Sequence, residues 1–462
     1  MEARRLIQDS ISPGVQRSLA EQLARKWAPL LENLEGDKRL ITAILLEQTA
    51  KGLKESSQSI STADVAAASR FLFPLVRRVW PGLVVNDIVA VQPMTMPVGA
   101  VCYFQVLYGT KKGEIEKGTE IPPGLNRWYS SDYVPNELLG TGDGTTKNFP
   151  NAYDFLPIIP KTIVLRTTIG GSNIIAYDRD GDGKLYSGTT LVATVSYMDG
   201  TIVFETAPDN GAEIRSDYRY QMELTSQVPE IELRITFDEV QARPRKLKAV
   251  WSPEAMEDMK ALYAVDAEAE LVQHIGSTIA LEIDQEVIQD LFNAVDQTSE
   301  FYTEWDRTPP QGVPDIWHVQ SIIYAIGKIS NVIHKKTYRA PANWIIVSPE
   351  IASIIEPLPQ FKGETPGKGE LQPLSGIHRI GVLADRWVVY RDPYFPKEYI
   401  LVGYKGSVFY DTGYVYAPYI PLQATPTFYD PDTFAMKKGL RTRYAKKLVR
   451  KEYYGLVKVL HI

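Results

Sequence analysis

The sequence predicts an α+β protein that carries an inserted, small all-β domain. Apolar residues recur at helical spacing in two regions, 13–58 and 266–295, which predicts helices there. Between residues 138 and 221, short runs rich in β-branched and aromatic residues alternate with Gly, Asp and Asn turns, which is typical of a small sandwich or barrel. Strand patterns flank this segment on both sides. A parent domain of helices and strands, interrupted by a β-domain, accounts for all three observations.

Composition limits the classes of function. The chain has 462 residues, of which 44% are apolar and 23% charged, enough to bury large cores. No apolar run approaches the roughly 20 residues that cross a bilayer, so we expect neither a membrane span nor an export signal. The single cysteine, Cys102, excludes an internal disulfide and a cysteine-based zinc site. The net charge of −6 disfavours a dedicated nucleic-acid binder.

The N-terminal region is predicted to be helical. Apolar residues three and four apart in residues 13–58 indicate two helices, with Pro29 bending the first. A further helix is predicted over residues 61–80. We therefore assign residues 1–70 to a helical N-terminal arm and residues 71–98 to the start of the parent domain.

A long hairpin is predicted around the insert. Apolar and polar residues alternate in "IELRITFDEV", with the apolar set at Ile231, Leu233, Ile235 and Phe237. This pattern predicts a half-buried strand with two different faces, which should pair with "GAVCYFQVLYG". The arms 99–137 and 222–240 then form one hairpin whose connection holds the inserted domain, 138–221. A hairpin of that length projects from its core, and we expect a neighbouring molecule to bury it.

The stretch "AYDRDGDGKLYSG" lies between two predicted strands of the insert and has the spacing of a calcium loop, with carboxylates at Asp178, Asp180 and Asp182. Position twelve falls on Thr189, where an EF-hand needs Glu, and neither flank is helical, so the EF-hand interpretation fails. Two interpretations stay open. The favoured one is a solvated β-turn, because Asp and Gly readily adopt positive φ. The other is a turn that holds a structural calcium ion; no other cofactor is expected.

A long acidic helix is predicted from Asp266, its cap, to Val295. Its apolar stripe recurs every four residues, at Leu271, Ile275, Ile279, Ile283, Val287 and Leu291. Ser252 is predicted to cap a shorter helix before it. Ten carboxylates and one lysine lie between Glu254 and Asp290. They form either a solvated face or an acidic seam that binds basic residues of another element or subunit.

A basic segment near the C-terminus is the candidate partner of the acidic helix. The stretch "KKGLRTRYAKKLVRKEYYGLVKV" contains nine Lys and Arg residues against Glu452. Nucleic-acid contact is the rival interpretation, but ionic pairing within the chain is at least as well supported. Around these elements, residues 241–314 continue the parent domain, residues 315–425 have an α/β pattern, and residues 426–462 return to the parent domain.

No catalytic constellation is evident in the sequence. There is no GxSxG or HExxH motif, and "GETPGKG" lacks both the spacing and the Ser or Thr of a Walker loop. Glu282 and Glu286 lie one helical turn apart, but no matching His motif follows and the face is uniformly acidic. We therefore predict that the protein is not an enzyme.

Four segments resemble the major capsid proteins of T-even-type tailed bacteriophages. They are "VRRVWPGLVVNDIVAVQPMTMPVGAVCYFQVLYG", "ARPRKLKAVWSPEAMEDMKALYAVDAEAELVQHIGSTIALEIDQEV", "VGYKGSVFYDTGYVYAPYIPL" and "GLRTRYA". Their order and spacing agree with those of the family. The resemblance covers most of residues 70–445, apart from the insert and parts of 296–345.

The resemblance implies the Hong Kong 97-type capsid fold. The hairpin would be the extended loop that reaches over an adjacent subunit, and the helix 266–295 would be the spine of a peripheral domain. Residues 315–425 would form an axial domain at the capsomer centre. The insert would stand on the outer surface.

The function that the resemblance implies is a head shell. Copies would form hexamers, with pentamers from the same chain as an open question, in an icosahedral lattice that encloses double-stranded DNA and expands from a precursor. Scaffold, portal, and vertex or decoration proteins would be its partners, and the virion its location after assembly in the bacterial host cytoplasm. We expect contacts between subunits at Arg243, Arg245, Lys246, Lys248, Glu254, Glu257, Arg441 and Arg443.

The N-terminal arm is the point at which we expect a departure from the family. Its members lose an N-terminal segment to a protease that cuts after Glu in an Ile/Leu-x-Glu context, which "LLE" (45–47) and "LKE" (53–55) match. This signal is common by chance, so we expect an unprocessed arm.

Two other functions are weighed against the viral shell. An encapsulin-like shell that encloses cargo instead of a genome has the same fold, and neighbouring terminase and portal genes would distinguish the two. A secreted calcium-dependent adhesin would need a signal peptide and repeated calcium loops, and the sequence has neither.

Overall fold

The computed structural model describes residues 13–56 except 33 and 35, and residues 80–462 except 81, 122–125, 226, 264–266, 365–375, 407–410, 426 and 434. The predicted helix over 61–80, the predicted cap at Asp266 and most of "GETPGKG" lie outside the described residues. The chain divides into two compact units, a first unit of Met1–Tyr103 with Thr236–Ile462 and a second unit of Phe104–Ile235.

Helices and strands are mixed, as the predicted α+β class requires. The helices are α1 Pro13–Lys26, α2 Gly36–Ser56, α3 Val85–Ile88, α4 Pro253–Tyr263, α5 Ala267–Ala294, α6 Asp315–Thr337 and α7 Pro349–Ile355, with 3-10 turns at Ala28–Leu30 and Lys451–Tyr453. Among the described residues, no helix is long and apolar enough to cross a membrane.

The strands fall into four sheets. Along the chain they are β1 Ala90–Val91, β2 Val98–Tyr108, β3 Glu120–Ile121, β4 Tyr133–Thr141, β5 Asn148–Phe149, β6 Val164–Ile169, β7 Ser172–Asp178, β8 Lys184–Ser187, β9 Thr190–Val195, β10 Ile202–Phe204, β11 Glu213–Arg219, β12 Ile231–Gln241, β13 Arg243–Trp251, β14 Tyr302–Asp306, β15 Trp344–Val347, β16 Phe361–Gly363, β17 His378–Leu383, β18 Trp387–Arg391, β19 Tyr399–Gly403, β20 Tyr414–Ala424, β21 Phe428–Tyr429, β22 Met436–Leu448 and β23 Tyr454–Leu460.

The first unit contains a five-stranded sheet against which α5 packs. The strand order is β1-β20-β22-β13, with β21 also paired to β22, and β22 is antiparallel to both of its long neighbours. Helix α5 nearly matches the predicted length. Its predicted stripe faces the interior, with Ile279, Ile283, Val287 and Leu291 buried and Leu271 and Ile275 partly buried. The predicted cap of α4 is also present, because the Ser252 hydroxyl accepts a hydrogen bond from the Ala255 amide at 3.2 Å.

A seven-stranded mixed sheet forms the other half of the first unit. Its order is β14-β23-β19-β15-β18-β17-β16. The sheet is wider than the predicted α/β segment 315–425, because β14 and β23 lie outside that segment and pair in parallel with each other. Conversely, β20 lies inside the segment but belongs to the five-stranded sheet. Pairing between strands about 150 residues apart leaves no local pattern in the sequence, and loop closure over such distances costs little extra free energy.

The N-terminal helices α1 and α2 are part of the first unit's core. Leu45 and Leu46 of α2 are fully buried in the same apolar cluster as residues of α5 and α6. Helix α1 ends at Lys26, and a 3-10 turn follows over Ala28–Leu30. The bend predicted at Pro29 is therefore a break, because a proline has no amide hydrogen to continue the helical bonding.

The predicted hairpin pairing is present. The strands β12, β2 and β3 form a three-stranded sheet in that order. The Gly109 amide donates to the Glu230 carbonyl at 2.8 Å, and the Ala242 amide donates to the Pro97 carbonyl at 2.8 Å. Gly109 and Pro97 are as far apart along the chain as Ala242 and Glu230, so the two strands keep one antiparallel register.

The second unit contains the predicted all-β insert. Its sheet has eight strands in the order β4-β11-β6-β7-β8-β9-β10-β5, and each pairing is antiparallel. The first strand begins at Tyr133, before the predicted boundary at residue 138. An apolar cluster of its own, with Phe155, Ile202 and Tyr218 among its members, fills this domain.

Candidate assembly surfaces

The face of β13 that carries Arg245 is joined to α5 by a charge network. The Arg245 guanidinium donates to the Glu282 carboxylate, with Nη1 and Oε2 2.6 Å apart, and also to Glu286. The Tyr444 hydroxyl on the adjacent strand β22 donates to Glu286 as well. One arginine thus holds two acids of the long helix against the sheet.

The C-terminal basic segment contributes the rest of the network. Lys446 Nζ lies 2.6 Å from Glu286 Oε1 and 2.6 Å from Asp290 Oδ2, and Lys438 pairs with Glu268 at the start of α5. The predicted ionic pairing of the acidic helix therefore occurs within the chain. Burial alone would raise the pKa of Glu286, but hydrogen bonds from Lys446, Tyr444 and Arg245 outweigh it and lower that pKa to about 2.

These contacts give Arg245 a role within its own chain. Its guanidinium binds α5 of the same chain, and its predicted contact with another subunit stays a prediction. The sequence could not place it, because alternation assigns Arg245 to one face of β13 without saying what lies over that face.

The opposite face of the same two strands carries the other predicted cations. Lys246 and Lys248 alternate with Arg245 along β13 and are exposed. Lys246 is paired across the ladder with Arg441, and Pro244 with Arg443, so all four cations share one face. Arg441 Nε donates to Gln423 Oε1 at 3.0 Å, and Arg443 lies over the Tyr419 ring at 5.3 Å. We call Lys246, Lys248, Arg441 and Arg443 the cationic face. Arg243 is also exposed, but it lies on the same side of β13 as Arg245.

The predicted acidic contacts lie on α4. Glu254 and Glu257 are exposed, as is Asp258 next to them. These residues are three and four positions apart, so they share one face of the helix, which we call the acidic face. The opposite side of α4 packs inward, with Met256 against the apolar cluster of Ala249, Trp251 and Met436.

The apolar residues of β12 correct one expectation. The sequence predicts a half-buried strand, but Ile231 is 63% exposed, Leu233 63%, Ile235 50% and Phe237 47%. The alternation is real, since these four residues occupy one face, which we call the apolar row. This face is exposed because no other element of the described chain packs over it.

The three aspartates of the insert are arranged as a turn. Asp178 is buried, and its carboxylate accepts hydrogen bonds from the Lys161 amide at 2.7 Å, the Gly181 amide at 3.0 Å and the Tyr197 hydroxyl at 2.6 Å. Asp182 pairs with Lys184 at 3.2 Å, and Asp180 points to solvent. The residues that the structure describes contain no group of three or more His, Cys, Asp or Glu side chains able to hold a metal ion. These contacts support the turn interpretation over the calcium one.

Sequence reasoning missed two buried charges in the second unit. Lys112 is 1% exposed and donates to the Tyr129 carbonyl at 3.0 Å, and burial lowers its pKa to about 8. Glu137 is fully buried, and neither of its oxygens accepts a hydrogen bond from the described residues. Burial and the nearby Asp154 carboxyl raise the pKa of Glu137 to about 8. The flanking sequences are ordinary strand and turn patterns and contain no signal for either burial.

The chain is similar in sequence to a known protein family and to several curated proteins. The family described as "Major capsid protein Gp23" matches residues 65–460. Among curated relatives, the major capsid protein of Enterobacteria phage T4 is 24% identical over 92% of this chain and 90% of its own length. That of Enterobacteria phage T6 is 25% identical over 92% and 94%, and that of Vibrio phage KVP40 is 26% identical over 84% and 77%.

Two of the solved structures that are similar to part of this chain come from phages. A chain described as "Mycobacterium phage Cain" has a TM-score of 0.36 and 10% identity over 53% of this chain and 80% of that one. A chain from "Asymmetric unit of bacteriophage PhiM1 mature capsid" has a TM-score of 0.34 and 11% identity over 52% and 78%.

The family match extends over most of the chain and includes both charged faces and the hairpin. It confirms the predicted absence of an enzymatic role and the predicted location, since proteins of this family are structural parts of the virion. The chain belongs to the Gp23 family of phage major capsid proteins, the proteins from which the head shell is built.

Proposed function

We propose that this capsid protein assembles into hexameric capsomers of a Hong Kong 97-type icosahedral head that encloses double-stranded DNA. In this proposal the hairpin arms 99–137 and 222–240 form the extended loop, and the inserted domain stands on the outer surface. Residues 71–98 and 241–314 with the spine helix belong to the peripheral domain, 315–425 to the axial domain, and 426–462 return to the peripheral domain. The observation that carries the proposal is the apolar row of β12.

The apolar row has the properties of a surface that is buried only after assembly. It consists of large aliphatic and aromatic side chains at regular spacing, and each is about half exposed. Completing the burial of such a side chain contributes on the order of 1 kcal/mol. The strand is also at the edge of its sheet in the order β12-β2-β3, so its backbone offers hydrogen bonds to a neighbour.

A ring of identical copies would bury such a surface in every subunit. Each copy would give its hairpin to one neighbour and receive the hairpin of the other, which is a heterologous contact that closes around a six-fold axis. A few kcal/mol per contact is modest by itself, and association costs reduce it further. When the ring closes, the free energies of all these contacts add up and stabilise the capsomer.

The proposal includes maturation and partners. We infer that the shell forms as a precursor with scaffold and portal proteins, expands when DNA is packaged, and accepts vertex or decoration proteins afterwards. Expansion requires interfaces with two discrete arrangements.

We also propose that the N-terminal arm is retained. A cut after Glu47 or Glu55 would remove Leu45 and Leu46, which are fully buried in the core of the first unit. Loss of such residues costs several kcal/mol of stability. Family membership favours this genome-enclosing shell over the encapsulin-like alternative.

Substitution of the apolar row tests the proposal. The variant Ile231→Thr/Leu233→Thr/Ile235→Thr places a β-branched side chain, which strands favour, at all three positions, but it removes most of the apolar contact. We expect the full chain, expressed with its neighbouring genes, to fold and yet form no shells in negative-stain micrographs.

The matched control lies on the other face of the same strand. The exposed residues Glu232 and Arg234 pair with each other at 3.2 Å, and Glu232→Gln/Arg234→Gln should leave shell yield unchanged. Shells at parental yield from the threonine variant would refute the role of the apolar row.

A further inference from the structure

The cationic face places like charges directly opposite each other. Lys246 of β13 and Arg441 of β22 are partners across an antiparallel ladder, and Lys248 and Arg443 flank this pair on the same face. Like charges at directly opposite positions destabilise a sheet. An anionic group close to such a pair offsets the repulsion. The location of that group therefore indicates what binds the cationic face.

None of the four cations of this face is paired with an acid of the described chain, although Lys437 and Lys447 on the same side of β22 pair with Asp430 and Asp238. Arg441 bonds to the neutral Gln423, and Arg443 donates to the Ala242 carbonyl at 3.3 Å and lies over Tyr419. No ion pair with a carboxylate is found for any of the four cations in the described structure. On the other face of the sheet, Arg245 and Lys446 bind four carboxylate oxygens of Glu282, Glu286 and Asp290.

The complement of this face is present elsewhere on the first unit. The acidic face of α4 consists of Glu254, Glu257 and Asp258, which are exposed and form no ion pair within the described structure. Through Met256, α4 packs beside Trp251 on the side of the sheet that faces α5. The cationic face is on the opposite side of that sheet. Within one copy, the two charged faces therefore point away from each other.

We propose that the cationic face of one copy binds the acidic face of α4 in a second copy. The inference rests on the proposed self-assembly and names one pair of surfaces that carries it. The two faces are different and lie on opposite sides of one sheet, so the contact is head-to-tail and propagates from copy to copy. DNA phosphates could neutralise the cationic face but would leave the acidic face unpaired, and the net charge of −6 adds repulsion. The second copy neutralises both.

Charge-swap variants of the full chain test this contact. The first variant is Lys246→Glu/Arg441→Glu, and the second is Glu254→Lys/Glu257→Lys. A control, Lys147→Glu/Arg179→Glu, makes the same change in net charge as the first variant at exposed sites of the inserted domain, outside both faces and the hairpin arms. Circular dichroism and thermal melting verify that each variant folds, and negative-stain microscopy measures shell yield.

We expect each swap alone to reduce shell yield at least tenfold and the control to leave it unchanged. The two swaps combined in one chain should restore at least half of the parental yield. Co-expression of the two single-swap chains should also restore it, because alternating copies bring opposite charges together at each contact.

Three results would overturn the inference while leaving the proposed function intact. The first is normal shell yield from both single swaps. The second is that the chain with both swaps folds but does not assemble. The third is normal shells from the Lys246→Glu/Arg441→Glu variant that retain less DNA, which would assign the cationic face to DNA. If the parent chain itself forms no shells, the proposed function fails instead.

Discussion

Two strands of this protein place large apolar residues at alternate positions, and therefore on one face, with opposite results. In β10 of the insert, Ile202 and Phe204 are buried while Val203 between them is 46% exposed. In β12 of the hairpin, the alternating apolar residues remain exposed. Alternation therefore specifies that a strand has two different faces. Whether the apolar face is covered depends on the rest of the chain, and for the apolar row we assign that cover to a neighbouring copy.

The largest effect that we expect is on the free energy of unfolding of the second unit. Phe204→Ala should destabilise the second unit by about 3–5 kcal/mol, because it opens a cavity in a closed core. Leu233→Ala, on the exposed row, should cost less than about 1 kcal/mol in the unassembled chain. Urea denaturation of both variants measures the difference. Equal losses of stability would mean that the apolar row is already covered within one copy.

A smaller effect concerns the buried acid in the insert. In the fold, Glu137 stays protonated up to its raised pKa of about 8. In the unfolded chain it loses its proton as soon as the pH exceeds the ordinary pKa of a glutamate. Its contribution to stability is therefore fully present at acid pH and is lost as pH rises to about 8. Glu137→Gln does not titrate, so it should stabilise the second unit by about 2–3 kcal/mol at pH 8 and by much less at pH 4.

A matched variant separates this effect from a general change in charge. Glu205 is exposed on the same unit, and Glu205→Gln should give the same small change in stability at both pH values. Thermal melting at pH 4, 6 and 8 distinguishes the two variants. A Glu137→Gln effect that does not depend on pH would show that this carboxyl is ionised in the fold.

The smallest effect is expected at the aspartate turn. Asp178→Asn should cost about 1 kcal/mol, because an amide group replaces one of the acceptor oxygens that now receive three hydrogen bonds. The exposed Asp180→Asn should have no effect on melting, and EDTA should leave the melting temperature unchanged. A lower melting temperature in EDTA, together with loss of stability in Asp180→Asn, would restore the calcium interpretation.

The sequence predicts well the elements whose pattern is local. The stripe of α5 from Leu271 to Leu291 fixes the length and buried face of that helix, and the turn spacing of the insert predicts its strands. The strand β12 is also predicted, with its partner β2, because the two flank the insert symmetrically.

What the sequence does not predict is what lies across each face. Arg245 and Lys246 are neighbours of similar chemistry, but one binds α5 and the other is exposed, because the helix packs on a single side of the sheet. The parallel pairing of β14 with β23 and the burial of Glu137 likewise depend on tertiary packing. Local propensity contains no information on such contacts.

Imaging of the assembled shell tests the central claim most directly. A cryo-electron microscopy map at side-chain resolution would show what covers Ile231, Leu233 and Ile235 in the lattice. We predict that a neighbouring copy buries all three, with the hairpin of each subunit lying across the next. An apolar row that still faces solvent in intact shells would contradict the claim that this surface builds the head.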